Sequence, residues 1–516
     1  MTRLRRHSKT HCKPTRPSPM EWISGWRAKE IPTNSERILG IHGASPTDYA
    51  HLLYTTAQSR SVEANAAKLL PPHMLMQRAG LAVAQFAMAI APHAKAIWIP
   101  CGPGNNGGDG YEAAIHLKSW GKSPVVTGMD SPDHAPIDAK AARQRAIDTG
   151  VAFADVAPQQ YDLCIDALFG IGRIRPWNHL CTAWIQRMNT GPAPVLAVDL
   201  PSGLDADTGA TPALHVKANY TLSLLTLKPG LFTADGREAS GDIWFNSLGV
   251  TPHAHAGARL TRRPPYPRRA HNTHKGSFGD LCVVGGMSGM TGAALLAARS
   301  ALMGGAGLVY VSMLDAGTMR LDPTHPELMF RGLSEMNLAS MTVVAGCGGG
   351  DAIHACMPQL LEQSARLVLD ADALNVIAKD TGLQHALRAR RAHTTVLTPH
   401  PLEAARLMKT STTEVQANRL GVAQAMADRF ACVVVLKGSG TVIAAPGVLP
   451  HINPTGNGRL ATAGTGDVLA GLIGARLTAN ADVFISAYDA VYQHGQVADE
   501  WRSDTTMTAQ DLARAL

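Results

Sequence analysis

A short apolar run, a turn rich in glycine or acid, and then an alanine-rich helix recur along most of the 516 residues of this chain. In the first half the runs lie at residues 96–100, 161–166 and 195–199; the first opens onto glycines and the other two end on Asp166 and Asp199. In the second half they lie at 280–284, 342–346, 367–370, 396–398 and 432–436, and each delivers a polar or glycine-rich loop. Parallel strands need a crossover, usually a helix, so this alternation predicts an α/β fold of mostly parallel sheets covered on both faces. In such sheets ligands sit beyond the carboxyl ends of the strands. The loops that follow the runs are therefore where chemistry is expected.

At ~150 residues per domain the length allows two or three domains. Residues 251–270, rich in Pro, Arg and His and without periodicity, read as a linker between domains at 46–250 and 271–516. Residues 1–45 read as a basic, unstructured extension, and helices are expected at 52–70, 75–90 and 111–120. The net charge of +7 is concentrated in residues 1–20 and 259–275 rather than on a basic face with interleaved aromatics, so no nucleic-acid partner is expected. Eight cysteines without a CxxC pair or zinc-type spacing suit a reducing compartment, and a cytoplasmic location is expected. No stretch reaches the ~18 uninterrupted apolar residues of a membrane span; residues 295–314 come closest and are broken by Arg299.

Two glycine loops carry the sharpest chemistry. Residues 101–110, CGPGNNGGDG, contain a literal GxGxxG at Gly102, Gly104 and Gly107, with Asp130 about twenty residues on, as in a nicotinamide-binding Rossmann unit. The amides of Asn105 and Asn106 and the carboxylate of Asp109 argue against bare pyrophosphate there and suit a cation and a hydroxylated ligand better. Residues 463–467, AGTGD, open onto an apolar helix. Backbone N–H groups of such a turn converge at the positive end of the helix dipole and steady a phosphoryl group, while Asp467 can take a proton from an attacking hydroxyl. Nest plus base describes a small-molecule kinase site. The blander reading makes Asp467 a helix-terminus acid and the glycines close packing. The order DADALN, TPHPLE with His400, KGSGT with Lys437, then GTGD sets four polar loops after four strand ends, and that favours the kinase-type site.

Residues 271–516, through HKGSFG, GGMSGMTGAALLAARSAL, GCGGG, DADALN, TPHPLEAARL, LKGSGT and ATAGTGDVLAG, resemble the ADP/ATP-dependent NAD(P)HX dehydratase family of the ribokinase-like superfamily. Residues 46–250, through LMQRAG, GPGNNGGDG, DALFGIG and VDLPSGLD, resemble the NAD(P)HX epimerase family. The two together resemble the bifunctional enzymes that repair hydrated nicotinamide cofactors. The resemblance implies a Rossmann-like α/β/α epimerase domain followed by a ribokinase-like α/β/α dehydratase domain. It implies interconversion of the R and S epimers of NADHX and NADPHX, then ADP-dependent dehydration of the S epimer, with ADP converted to AMP and phosphate. Residue by residue, it implies potassium at Asn106, Asp166 and Ser202. Hydrate would be held by Asn105, Asn106, Gly107, Gly108 and Asp109 and by the loop Gly170, Ile171, Gly172, Arg173, Ile174, Arg175 and Pro176, with Asp199 as acid/base. In the dehydratase, Ala294, Gly348 and His400 would line the hydrate pocket beside Asp467. Lys437, Gly438, Ser439, Gly440, Thr441 and Gly466 would take the nucleotide, with magnesium bridging its phosphates. A homo-oligomer, with a tetramer as one form, is also implied.

Two positions depart from the family pattern: Arg459 stands where a glycine is usual, and Gly349 replaces the more usual Leu. A rival reading keeps the kinase fold but makes the chain a vitamin or sugar kinase with a regulatory first domain. Another makes the first domain a binding module without catalysis; the presence of Asn106, Asp166, Asp199 and Ser202 counts against it.

Overall fold

A computed structural model describes residues 40–41, 51–129, 135–172, 177–252, 255–264, 269–315, 319–480, 482–502 and 504–516. The expected ligands Arg173, Ile174, Arg175 and Pro176 lie outside the described residues, as does most of the segment 1–45. Two sheets organise the described chain. The first has eight strands, all parallel, in the spatial order Gly40–Ile41, Asp242–Asn246, Tyr220–Leu224, Val195–Val198, Leu163–Asp166, Ala96–Cys101, Ser123–Gly128 and Ala152–Ala154. After the edge strand Gly40–Ile41, the chain enters the middle of this sheet at Ala96–Cys101, builds outward to one side, and returns to build the other from Leu163–Asp166. The strand order therefore reverses between those two neighbours, and a crevice opens beyond their carboxyl ends.

The second sheet has eleven strands. Its parallel body runs Met329–Phe330, Leu308–Met313, Asp280–Gly285, Thr342–Ala345, Arg366–Leu369, Thr395–Leu397 and Val433–Leu436; Val442–Ala445 and Val448–Ile452 continue it antiparallel. The sheet does not stop there. Ala258–Leu260, inside the segment expected to be a plain linker, pairs with Val448–Ile452, and Leu52–Leu53 pairs with Ala258–Leu260. Short apolar alternations such as Ala258, Leu260 and Leu53 are too brief to register as strands by periodicity, but their side chains are fully buried and the edge of Val448–Ile452 would otherwise be open. Likewise Gly40–Ile41, in the expected unstructured extension, pairs with Asp242–Asn246.

The helix expected at 52–70 begins later, at Thr56–Leu69, because Thr55 and Gln58 form a reciprocal capping box. The helix expected at 111–120 begins earlier, at Asn105–Ser119, so the glycine-rich stretch is itself helical. None of Gly102, Gly104, Gly107, Gly108 or Gly110 has a positive φ. Four of these five serve close approach: a Cβ would fall 1.7 Å from Leu168 O at Gly102, 2.0 Å from Gly102 O at Gly107, 2.5 Å from Met76 Cε at Gly108 and 2.6 Å from Ala167 Cβ at Gly110. The same logic shapes Thr465–Ala479, where a Cβ on Gly471 would stand 2.0 Å from Ala297 O in the helix Thr291–Met303. Among the described residues no helix is long and apolar enough to cross a membrane.

Candidate active sites

At the reversal point of the first sheet lies a cavity of about 430 Å³, lined by Asn105, Asn106, Asp109, Gly170, Ile171, Gly172 and Asp199 together with Glu63 and Lys228. Asn105 and Asn106 sit in the first turn of Asn105–Ser119, and Asp109 comes one turn later on the same helix. Gly107 and Gly108, predicted as ligand-holding, are instead packed against backbone and Met76, so they position the helix and do not line the cavity. Gly170 leaves little room for a side chain, since a Cβ would lie 3.2 Å from Asn106 Oδ1 and 3.4 Å from Asp199 Oδ2.

Asp199 follows the strand Val195–Val198 with a left-handed φ of 68°, costly for a non-glycine residue and common at functional positions. Its Oδ1 accepts from Leu224 N at 3.0 Å and from the buried Lys228 ammonium, which also donates to Leu224 O at 2.8 Å. Burial, with Asp199 and Glu63 nearby, drives the Asp109 carboxyl well above the ordinary carboxylate range. The cavity thus holds a carboxyl that burial biases toward its neutral form beside a carboxylate that a lysine pairs with. Two acids in contrasting environments are suited to donating and accepting protons.

Asp166 and Ser202 meet as expected. Ser202 Oγ and Ser202 N donate to the Asp166 carboxylate at 2.7 and 2.8 Å, and Leu168 N adds a third bond at 3.2 Å. Asp166 is fully buried, and burial lifts its pKa to about 6 against those hydrogen bonds. Asn106 is buried beside Gly170 rather than bonded to this pair, and its Nδ2 has no partner. A buried carboxylate without a cationic side chain, a hydroxyl, and the Phe169 carbonyl 3.3 Å from Ser202 Oγ form an all-oxygen donor set that fits a monovalent cation.

In the second half, Gly464 takes a φ of 91° and turns the chain into Thr465–Ala479, so Gly466 and Asp467 lie in the first turn of that helix. Lys437 reaches across from the end of Val433–Leu436 to Asp370 Oδ1 at 2.6 Å, where Thr398 Oγ1 also donates at 2.6 Å. Ligating atoms of Cys347, Asp370 and Asp467 all lie within 4.8 Å of one another. Burial, with Asp370 alongside, pushes Asp467 up to about 7, and burial pushes the Cys347 thiol well up, so that the thiol stays neutral. Burial opposes the Lys437 ammonium, but Asp370 and Glu403 outweigh it and hold it above the usual lysine range. The carboxylates suit a hard divalent cation and the thiol does not, so a cation here would need oxygens from a ligand as well.

Beside this cluster a cavity of about 580 Å³ is lined by Lys437, Gly438, Ser439, Thr441 and Gly466. The predicted nucleotide ligand Gly440 is not in that wall; it has a φ of 63° and presses against Phe232, where a Cβ would fall 2.0 Å from the carbonyl oxygen. Ala294 is fully buried in the core, and Gly348, with a φ of 60°, packs against Met290. His400 caps the helix Pro401–Met408, its Nδ1 accepting from Leu402 N at 3.1 Å, and stands 3.2 Å from Glu403. Arg459 lies in the short turn Gly458–Leu460, whose other two residues line the cavity while Arg459 does not. At Gly349 a Cβ would come 2.9 Å from Ile353 Cβ.

In the sequence Glu63 and Lys228 go unmarked, and Asp370 is marked only as part of the DADALN loop. Asp370 ends its strand as Asp166 and Asp199 end theirs, so the same positional signal marks it. Glu63 and Lys228 carry no local signal: they reach the first cavity from a helix at the start of the domain and from a loop after Tyr220–Leu224.

Residues 281–516 match the family model described as NAD(P)H-hydrate dehydratase, and residues 72–230 match that of the YjeF-related protein N-terminus. The bifunctional NAD(P)H-hydrate repair enzyme of Escherichia coli is 35% identical over 478 residues, covering 88% of this chain and 90% of that protein. That of Moorella thermoacetica is 33% identical over 508 residues, covering 89% and 95%. The Bacillus subtilis ADP/ATP-dependent NAD(P)H-hydrate dehydratase, crystallised with ATP and Mg²⁺, is 30% identical with a TM-score of 0.40, covering 48% of this chain and 91% of that one. With both halves matched in order and full-length relatives aligned nearly end to end, the chain belongs to the family of bifunctional NAD(P)H-hydrate repair enzymes.

Proposed function

We propose that this protein restores hydrated nicotinamide cofactor in two steps, epimerising (R)- and (S)-NAD(P)HX at the first cavity and dehydrating the S epimer at the second, with ADP as phosphoryl donor. Residues 46–250 carry the first activity and residues 271–516 the second. The observation that carries the reading is Asp467, lifted to about 7 in the first turn after the Gly464 nest and facing the Lys437–Asp370 pair. A base poised near neutrality at an anion-stabilising helix terminus is what phosphorylation of a hydroxyl requires.

In the first cavity the neutral Asp109 protonates the departing hydroxyl of the hydrate, which leaves as water while the ring nitrogen lone pair fills the vacancy. Water then adds to the opposite face and gives a proton to Asp199. Running the reaction in reverse exchanges the two roles. Asn105, Ile171 and Gly172 hold the ring, and Lys228 keeps Asp199 oriented. Asp166 and Ser202 would hold potassium, which would fix the loop 167–172 that walls the cavity. In the second half Asp467 takes the hydroxyl proton as the β-phosphoryl group of ADP transfers to that oxygen, leaving AMP. The C–O bond of that ester then breaks, phosphate leaves with the bonding pair, the proton on the adjacent ring carbon passes to the departing phosphate, and the double bond returns. Gly464 to Gly466 steady the transferring group, Lys437 and Thr441 hold the remaining phosphate, and Asp370 would hold magnesium, which would neutralise charge developing on the phosphates. Buried free thiols throughout the described chain fit a cytoplasmic location. The homo-oligomeric state rests on family resemblance alone and is checked by light scattering.

The test is absorbance at 340 nm with a mixed R/S NADHX pool, magnesium, potassium and ADP. Complete recovery of NADH is expected. Recovery that stalls at the S fraction removes the epimerase assignment. No recovery with ADP or ATP, together with an accumulating phosphorylated product, replaces the repair reading with a small-molecule kinase.

A further inference from the structure

The cavity beside Lys437 is not built by the second half alone. Arg237 and Glu238, from the first half, are in its wall. Arg237 Nη2 donates to Pro454 O at 2.9 Å and Gly456 O at 2.7 Å, and Nη1 donates to Thr455 O at 3.4 Å. Three successive carbonyls of one loop thus converge on one guanidinium, more than 200 residues away along the chain. The loop leads from Val448–Ile452 toward the Gly464 nest; its other end is tied by Gly456 N to Asp499 Oδ2 at 2.8 Å. A second tie joins the halves at the other loop of the cavity. Ala234 N donates to Ser439 O at 3.1 Å, Ser439 Oγ donates to Ala234 O at 2.8 Å, and Gly440 presses on Phe232. Beneath both ties Leu231 and Phe232 share one continuous apolar core with Leu436, Val442 and Ile452.

We propose that the nucleotide site is composite: Arg237 is a positioning residue that fixes the loop 454–456 and adds a second positive charge to the wall that Lys437 lines, where it favours a polyphosphate. This rests on the repair reading only in taking that cavity as the nucleotide site. The guanidinium suits the task because its planar fan of N–H groups can serve several carbonyls at once, which a lysine ammonium on a flexible stem does less well. Burial lowers the Arg237 pKa and the nearby Asp499 opposes that shift, while the three carbonyl contacts hold the guanidinium in place. Nucleotide affinity in the second half then depends on a side chain of the first, and the fusion of the two halves does more than tether them.

The test uses the full chain, with Arg237→Ala and Arg237→Lys. Calorimetric titration with ADP and magnesium, KM for ADP, KM for the S hydrate, epimerase rate and unfolding midpoint are measured for each. Arg237→Ala is expected to raise Kd and KM for ADP about tenfold, the scale of one charge-assisted hydrogen bond, with the hydrate KM and epimerase rate within about twofold of the parent. Arg237→Lys should fall between the two in ADP affinity with an unchanged midpoint. An unchanged ADP affinity in Arg237→Ala overturns the proposal, and so does a parent-like ADP affinity in Arg237→Lys. Equal losses in both substrates' KM values and in epimerase rate, following a lowered midpoint, overturn it too and reduce Arg237 to a structural contact. A parent enzyme that binds no ADP removes the repair reading itself, and this inference with it; a parent that binds ADP as tightly as Arg237→Ala removes this inference alone.

Discussion

Asp467 and Asp109 are both carboxyls that burial makes reluctant to ionise, yet the chemistry asks opposite things of them. In the proposed mechanism Asp467 is the base, so its ionised form is the working one; Asp467→Asn should lower the dehydration rate by about 10²-fold or more while ADP still binds, read as NADH recovery and calorimetric titration side by side. In the same mechanism Asp109 is the acid, so its neutral form is the working one. Its raised pKa places the loss of epimerase rate on the alkaline side: the rate should fall as pH rises through that pKa, which lies well above the ordinary carboxylate range. Asp109→Asn should remove the activity without that pH dependence, measured as exchange between R and S pools. Replacing potassium with tetramethylammonium should slow epimerisation and leave dehydration of pure S hydrate by ADP at its former rate. The acids at strand ends were legible in the sequence because position alone marks them. Lys228 and Glu63 were not, since their roles arise from what stands opposite them in space and no neighbour in the chain announces it.

At the scale of elements, glycine was the residue most easily misread. In the sequence CGPGNNGGDG the glycines look like turn-formers, but they lie without positive φ, most of them at or in the start of a helix that approaches backbone on two sides. Gly464 does what a turn glycine should, at a φ of 91°. Seven residues on, Gly471 leaves room for Ala297, which passes too close for a Cβ. Gly471→Ala should destabilise the chain by about 1–3 kcal/mol through overpacking between Thr465–Ala479 and Thr291–Met303, visible as a lower denaturant midpoint with an unchanged slope. The alternation of strand and helix could be read from hydrophobic pattern. The helix starts could not, because a capping box at Thr55 and close packing at Gly107 overrode the local composition.

For the whole molecule, the two halves share a sheet edge. Leu52–Leu53 and Ala258–Leu260 extend the eleven-stranded sheet past Val448–Ile452, and residues of both halves lie in one apolar cluster. A fragment of residues 271–516 would expose that strand edge and the apolar surface under Phe232. It should therefore melt lower than the full chain, self-associate, and bind ADP more weakly; light scattering and thermal unfolding of the two decide it. A fragment as stable and as tight for ADP as the full chain would show the shared edge to be incidental.

By itself the sequence determined the α/β class, the two-part order of the chain, and the acids and glycine loops at the strand ends, because periodicity and the carboxyl-end rule are local properties of a parallel sheet. Only the tertiary structure decided which of those residues face a cavity. It packed Gly107, Gly108, Gly440 and Ala294 against neighbouring backbone and core, and it brought in Glu63, Lys228 and Arg237. It also drew two stretches from before residue 271 into the second sheet. The reason is physical: what a buried charge or a missing Cβ does depends on the atoms within a few ångströms of it, and for these residues those atoms lie far away along the chain.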